Sequence, residues 1–218
     1  MFLRPSGSTC VRVASLIGLL LAVVSFASAN ALVLDDVTTV HLYQQTTNNP
    51  CVIGDPSCSN GTFPETIFPP NAPSYDEFSP VYTVAQLQAI VGNTILIGVD
   101  VNQTVDNQTL SLFTMLINGV VVDTYSANPA TPVPPTTGGG NGNGYADYTL
   151  SGFTSLAGLQ PTDTIQFHVV MPSVNDGREE FFLISGSGGV SEVPEPGTLS
   201  LVVGGLLVAA ARVIRRYV

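Results

Sequence analysis

An all-β fold, an antiparallel β-sandwich of about seven or eight strands, is what the sequence predicts for residues 30–184 of this 218-residue chain. Three observations predict it. The interior is rich in Thr, Asn, Gly and Pro and carries β-branched runs, a composition that suits pleated strands and long turns better than helices. Residues 110–125 (LSLFTMLINGVVVDTY) place two such runs on either side of Asn118-Gly119, a pair that accepts the positive φ angles of a tight hairpin turn. No stretch reads as a helix long enough for a βαβ crossover, which leaves an antiparallel arrangement.

Taken in order, residues 37–44 (VTTVHLYQ) alternate and predict a strand. Residues 50–80 are proline-rich without a sustained period and read as a long loop. Residues 83–91 fit neither period cleanly and read as a short helix or a strand, whereas residues 94–101 (TILIGVDV) predict a strand. After the Asn118-Gly119 hairpin, residues 127–144 form a second Pro/Thr/Gly/Asn-rich loop. Residues 145–153 (YADYTLSGF) alternate again. Residues 164–171 (TIQFHVVM) and 179–184 (EEFFLI) predict a second hairpin around Asn175-Asp176-Gly177.

The two ends differ from this body. Arg4 and Arg12 precede an uncharged apolar run at residues 13–26, and Ala27-Ser28-Ala29 follows it with small residues. That order reads as a signal peptide spanning residues 1–29, cut by signal peptidase between Ala29 and Asn30. Cys10 precedes the run and is no lipoprotein cysteine. Residues 185–192 read as a flexible linker. Beyond them Pro194 and Pro196 hold Glu195 extended, residues 199–211 are uncharged and mostly apolar, and Arg212, Arg215 and Arg216 close the chain. A span of residues 196–214, with Arg212 snorkelling, approaches the roughly 20 residues of a transmembrane helix. The terminal arginines predict a cytoplasmic C-terminus.

Val193-Pro194-Glu195-Pro196, a short apolar helix containing Gly204-Gly205-Leu206, and a terminal Arg cluster together resemble the PEP-CTERM sorting domain over residues 193–218. The resemblance implies recognition by an exosortase, a membrane cysteine transpeptidase that acts at or near the Pro-Glu-Pro motif. It also implies a Gram-negative host that makes exopolysaccharide. The expected location is the cell envelope: an inner-membrane-anchored precursor, then the cell surface or extracellular matrix. One departure is that Val213-Ile214 splits the basic cluster and Tyr217-Val218 follows it.

Charge narrows the partners. Between Asn30 and Glu192 a single Arg stands against fifteen Asp and Glu, and the whole chain has no Lys. Such a surface repels phosphates, so nucleic acid is not an expected partner. Cys51 and Cys58, the only cysteines after the predicted cut, are expected to form a disulfide in an oxidising compartment.

Catalytic residues are not expected. There is no Gly-x-Ser-x-Gly elbow and no free thiol, and His41 and His168 both fall inside predicted strands. Asp76-Glu77 and Glu179-Glu180 are neighbours in sequence whose side chains point to opposite faces of a strand. No cofactor is implied. The expected function is therefore a non-enzymatic surface or matrix protein. A carbohydrate- or calcium-binding module is the alternative, and a hydrolase with His168 beside two carboxylates in a cleft is a remote one. For sugar, Tyr75, Phe78, Tyr82, Tyr145 and Tyr148 supply rings. For calcium, Asp100, Asn102 and Asp176 supply oxygens. Asn60, Asn102 and Asn107 head Asn-x-Ser/Thr sequons.

Overall fold

The computed structural model describes residues 29–37, 41–102, 108–135, 142–174 and 177–186. In chain order its elements are β1 (Asn30–Ala31), β2 (Val33–Asp36), β3 (Cys51–Gly54), β4 (Thr66–Ile67), β5 (Tyr75–Phe78), β6 (Tyr82–Thr83), α1 (Val84–Val91), β7 (Ile97–Asp100), β8 (Thr109–Ile117), β9 (Val120–Pro132), β10 (Tyr148–Ser151), β11 (Thr164–Met171) and β12 (Glu180–Leu183). The first sheet runs β1-β9-β8-β11-β5, with β6 also paired to β11. The second runs β2-β10-β7-β12-β3-β4. Both sheets are mixed, because β1 joins β9 and β4 joins β3 in parallel.

Side-chain alternation explains how the sheets face each other. Along β11, Ile165, Phe167, Val169 and Met171 are buried while the residues between them are half-buried, the period of two expected of a strand with one covered face. From the second sheet Phe181 meets Phe113 of β8 with ring centroids 5.6 Å apart, and Phe68 stacks on Tyr75 at 4.0 Å. These rings and the aliphatic residues around them form the main core.

Strand β12 is buried on both faces. Its outward side chain Phe182 belongs to a second, smaller core with Val37, Cys51, Ala146 and Ile184, against which Tyr43 and Cys58 pack. The Cys51–Cys58 disulfide forms part of that layer, with Cα atoms 6.2 Å apart. Asn60 holds the layer down: its Oδ1 accepts from Cys51 N at 2.7 Å and its Nδ2 donates to Cys51 O at 3.0 Å. With its amide buried in this way, Asn60 is no surface sequon.

Several expectations are met. The hairpin joins β8 and β9 at Asn118-Gly119, whose φ angles are 51° and 77°. Residues 83–91 resolve to helix: Thr83 Oγ1 accepts from Gln86 N at 3.2 Å and Gln86 Oε1 accepts from Thr83 N at 2.8 Å, a capping box that starts α1. That helix buries Val84, Leu87 and Val91.

Others are corrected. Of the strand expected at residues 37–44, residues 38–40 lie outside the described residues and residues 41–44 form a turn with one isolated bridge; His41 sits in that turn with φ 62°, and β2 lies before it. Residues 50–80 contain β3, β4 and β5, because the prolines fall between short pairing segments and leave their ladder bonds intact. Strand β9 extends to Pro132, so the loop expected at 127–144 starts later. The hairpin expected at residues 164–184 does not exist: β11 lies in the first sheet and β12 in the second. Among the described residues there are twelve strands, several only two residues long, and the sheets are mixed instead of purely antiparallel. The signal-peptide run, residues 187–190, the Val193-Pro194-Glu195-Pro196 motif, the apolar tail and Arg212, Arg215 and Arg216 lie outside the described residues. Among the described residues no helix is long and apolar enough to cross a membrane.

Gly98 of β7 pairs with Phe182 of β12, and a Cβ on Gly98 would stand 2.5 Å from the Phe182 ring. Gly98→Ala should therefore cost about 1–3 kcal/mol, as overpacking in a filled core does. Urea unfolding measures it. In a Phe182→Leu background the same change should cost markedly less, because the two residues touch.

Candidate functional site

The central strand of the second sheet, β7, ends at Asp100. Antiparallel neighbours begin beside that end: β10 is preceded by Asp147, and β12 opens with Glu180 after Glu179. Glu180 lies directly across from Asp100 in the ladder. Topology thus gathers four carboxylates from three chain segments at one end of one sheet. Their residues are 1% (Asp100), 2% (Asp147), 0% (Glu179) and 7% (Glu180) exposed.

Main-chain amides hold three of them. Asp100 Oδ2 accepts from Gly144 N at 2.6 Å, Asp147 Oδ2 from Val101 N at 2.9 Å, and Glu179 Oε2 from Asn102 N at 2.6 Å. The other Glu179 oxygen accepts from Nε2 of Gln108, a residue that leads into β8 of the opposite sheet. Glu180 Oε1 takes only a long bond from Ser57 Oγ at 3.4 Å. Gln108 Oε1 and Glu180 Oε2 are buried without a hydrogen-bond partner. Such atoms forgo their solvation and gain nothing in return. Asp123 in the first sheet shows the contrast: equally buried, it accepts from Asn30 Nδ2, Thr154 N and Thr154 Oγ1.

Charge balance sharpens the contrast. Arg178 is the only Lys or Arg among the described residues, and it is turned to Asp55, Nη1 to Oδ2 at 3.1 Å. Burial tends to raise the Asp55 carboxyl, but bonds from Ser57 and Arg178 outweigh that and hold it below the ordinary range. No cation does this for the cluster. Burial, then the Glu180 charge opposite, pushes Asp100 up to about 8. Burial raises Glu179 to about 8 despite its bonds from Asn102 and Gln108. Burial and then the Asp55 charge raise Glu180 to about 7, and Glu65 reaches about 7 through burial and then the charges of Glu180 and Asp55.

The residues singled out from sequence are distributed differently. Asp100 and Asn102 do come together with the cluster, while Asp176 and Asn107 lie outside the described residues. Glu179 and Glu180, read as unable to cooperate because they are adjacent, are both drawn into the acidic region. Asp147 and Gln108 were missed; for Asp147 the available signal was an acid beside an apolar strand pattern, as in YADYTLSGF. Among the described residues the one group of metal-ligand side chains whose donor atoms all lie within 4.8 Å is Cys51, Cys58 and Glu65. The disulfide consumes both sulfurs there, so that group is no metal site.

The aromatic residues do not gather on one surface. Tyr75, Tyr82 and Tyr148 are core residues, and Tyr145 packs on His41 at 4.2 Å. Phe78 alone is well exposed, stacked on His168 at 4.0 Å. His168 Nε2 meets Asp76 Oδ1 at 2.6 Å on the outer face of the first sheet, beside one carboxylate and not two. A cleft of about 210 Å³ is lined by Asp55, Asn71, Tyr75, Asn102, Gly177 and Arg178; Tyr75 turns its hydroxyl to Gly177 O at 2.9 Å and presents no open ring face there.

The raised carboxyls fix a sign for pH dependence. Unfolded, these acids release their protons near pH 4; folded, they hold them up to about pH 7–8. Between those limits the folded state binds more protons, so stability should fall as the pH rises from about 4 to about 8 and level off above. Thermal melts in chelator from pH 5 to pH 9 should show a Tm lower at the alkaline end. Asp100→Asn should flatten that slope.

Compared with known proteins, the chain matches no family model, no curated protein and no solved structure.

Proposed function

We propose that the chain is a non-enzymatic β-sandwich protein of the bacterial cell envelope, exported by its N-terminal segment and sorted through Pro194-Glu195-Pro196. The observation that carries the reading is the coincidence of the β-domain with the interval between the two address segments. Among the described residues the first strand begins at Asn30, the residue after the expected cut, and the last, β12, ends at Leu183 just before the glycine-rich linker. Asn30 is integral to the domain. It pairs with Asp123 across β9 and its side chain reaches Asp123 Oδ1 at 3.1 Å and Thr154 Oγ1 at 2.9 Å. A Cys51–Cys58 bond suits an oxidising compartment.

In this reading signal peptidase and an exosortase are processing partners, the tail tethers the precursor to the inner membrane, and exopolysaccharide surrounds the delivered protein. An acidic, lysine-free body remains soluble there and does not adhere to nucleic acid or anionic lipid. The dispersal of Tyr75, Tyr82 and Tyr148 into the core gives the sugar-stacking alternative little support.

The test is the intact mass of the protein isolated from its own cells. A polypeptide that starts at Asn30, ends near Pro-Glu-Pro and is two hydrogens lighter than the reduced chain is the expected result. A mass that retains Arg215 and Arg216 would remove the exosortase step, and one that retains residues 1–29 would remove export by cleavage. A chain ending at Glu192 should fold and stay soluble without detergent, as measured by circular dichroism and size-exclusion chromatography.

A further inference from the structure

We propose that the Cys51–Cys58 bond is a reversible redox couple that exchanges with a partner dithiol, with the Glu65 carboxyl as the proton carrier for Cys51 Sγ. The exchange is stoichiometric, so it adds to the envelope reading and does not rest on it.

The fold brings the acid to the sulfurs. Strand β4 joins β3 in parallel with Thr66 opposite Ile53, which sets Glu65, the residue before β4, beside the start of β3. Tyr82 fixes the approach, since its hydroxyl donates to Pro64 O at 2.9 Å. A Glu65 carboxyl oxygen and both sulfurs lie within 4.8 Å of one another. A Cβ on Gly54 would stand 2.8 Å from Cys58 Sγ and 3.3 Å from Cys51 Sγ, so the bond rests on bare backbone. Cys51 is wholly buried, whereas Cys58 is half-buried and is the more open of the two to attack.

Glu65 itself supplies the second observation. Its Oε2 is buried without a hydrogen-bond partner. A buried carboxyl that only packed would take a donor, as Asp123 does. Burial, and then the charges of Glu180 and Asp55, push Glu65 up to about 7, so near neutral pH it holds a proton that it can give. The titratable groups facing it are Glu180 of β12, Asp55 after β3 and Tyr82 of β6, and Arg178 is engaged with Asp55. A thiolate freed at Cys51 would be buried beside these acids. Unpaired buried charge is costly, so the leaving sulfur needs a proton as it departs.

The exchange balances with the partner dithiol as reductant. One partner thiolate attacks Cys58 Sγ; the Cys51–Cys58 bond breaks, its electron pair passes to Cys51 Sγ, and the Glu65 proton goes to that sulfur. The partner's second thiolate then attacks the mixed disulfide, closing the partner's own disulfide and releasing Cys58 as a thiolate that solvent protonates. Two electrons have passed to this chain, and Glu65 recovers its proton from solvent. Main-chain bonds hold both cysteines whether or not the sulfurs are joined. Asn60 keeps Cys51 through N and O, Cys58 N donates to Asp55 O at 3.0 Å, and Asn60 N donates to Cys58 O at 2.9 Å. The opened pair therefore stays placed to close again.

The experiment reduces the full-length protein in mild detergent with dithiothreitol, from about pH 5.5 to about pH 8.5. Acid quenching, alkylation and peptide masses follow the opening of Cys51–Cys58 and keep Cys10 out of the count. The rate constant per dithiothreitol thiolate should fall as the pH rises through about 7. Glu65→Gln should react about tenfold or more slowly at about pH 6, with no such fall. Glu180→Gln should keep the fall but move it to lower pH, because a like charge beside Glu65 is gone. Asp76→Asn, on the outer face of the first sheet, should behave as the parent does. The proposal is overturned if the bond in the folded protein resists about 10 mM dithiothreitol, if the parent's rate per thiolate does not change with pH, or if Glu65→Gln keeps the parent's rate and profile. Melts of the oxidised variants separate a lost proton carrier from a lost fold. If Glu65→Gln does not fold, the parent's profile and the shift in Glu180→Gln decide.

Discussion

The stack of Phe113 on Phe181 is the contact from which the rest of the sandwich follows, because it locks a long strand of the first sheet over the middle of the second. Once Phe181 points inward, alternation along β12 sends Glu180 and Phe182 outward. In an ordinary sandwich that outward face would meet water. Here residues near Tyr43 and the Cys51–Cys58 pair lie over it, and β12 has no solvent face left. An aromatic side chain on that side becomes the seed of a second core. A glutamate on the same side becomes a buried acid.

The acidic cluster is thus a by-product of topology that the chain has then furnished. Strands β10, β7 and β12 are neighbours although 148, 97 and 180 are far apart in sequence, so their acids meet only in three dimensions. Main-chain amides at Val101, Asn102 and Gly144 donate to Asp147, Glu179 and Asp100. The same chain shows, at Asp123, how it treats a buried acid that needs nothing further: three donors close around it. At Glu180, by contrast, one long bond from Ser57 reaches Oε1 and Oε2 is buried without a partner.

How much of this was legible follows from the range of each interaction. The Asn118-Gly119 hairpin is local, written within a few residues, and the sequence pattern reports it well; the Thr83 capping box is equally local, yet the mixed period of residues 83–91 left helix and strand both open there. Asp100 stood out with Asn102 as a pair of oxygen donors spaced by two on the strand TILIGVDV. By contrast, β3 and β5 hid among prolines because their partners, β12 and β11, are 90 or more residues away. The apparent hairpin at residues 164–184 misled for the complementary reason: proximity in sequence and a turn-forming tripeptide suggested pairing, while the core needed the two strands in opposite sheets. Gln108 carried no local signal at all, since its role exists only where the two sheets come together.

The rims of the two sheets carry a consequence of their own. The outermost strands are β1 and β5 in one sheet and β2 and β4 in the other. Two of these are only two residues long. The other two carry paired acids, Asp35-Asp36 in β2 and Asp76-Glu77 in β5. At β2, β4 and β5 a second copy approaching edge to edge would find either almost no ladder to extend or a row of like charge. Beside β1 the rim is different: β1 pairs with only Asp123 and Thr124 of the thirteen-residue β9, so the rest of that strand's outer edge has no ladder partner among the described residues and is where a further strand could add.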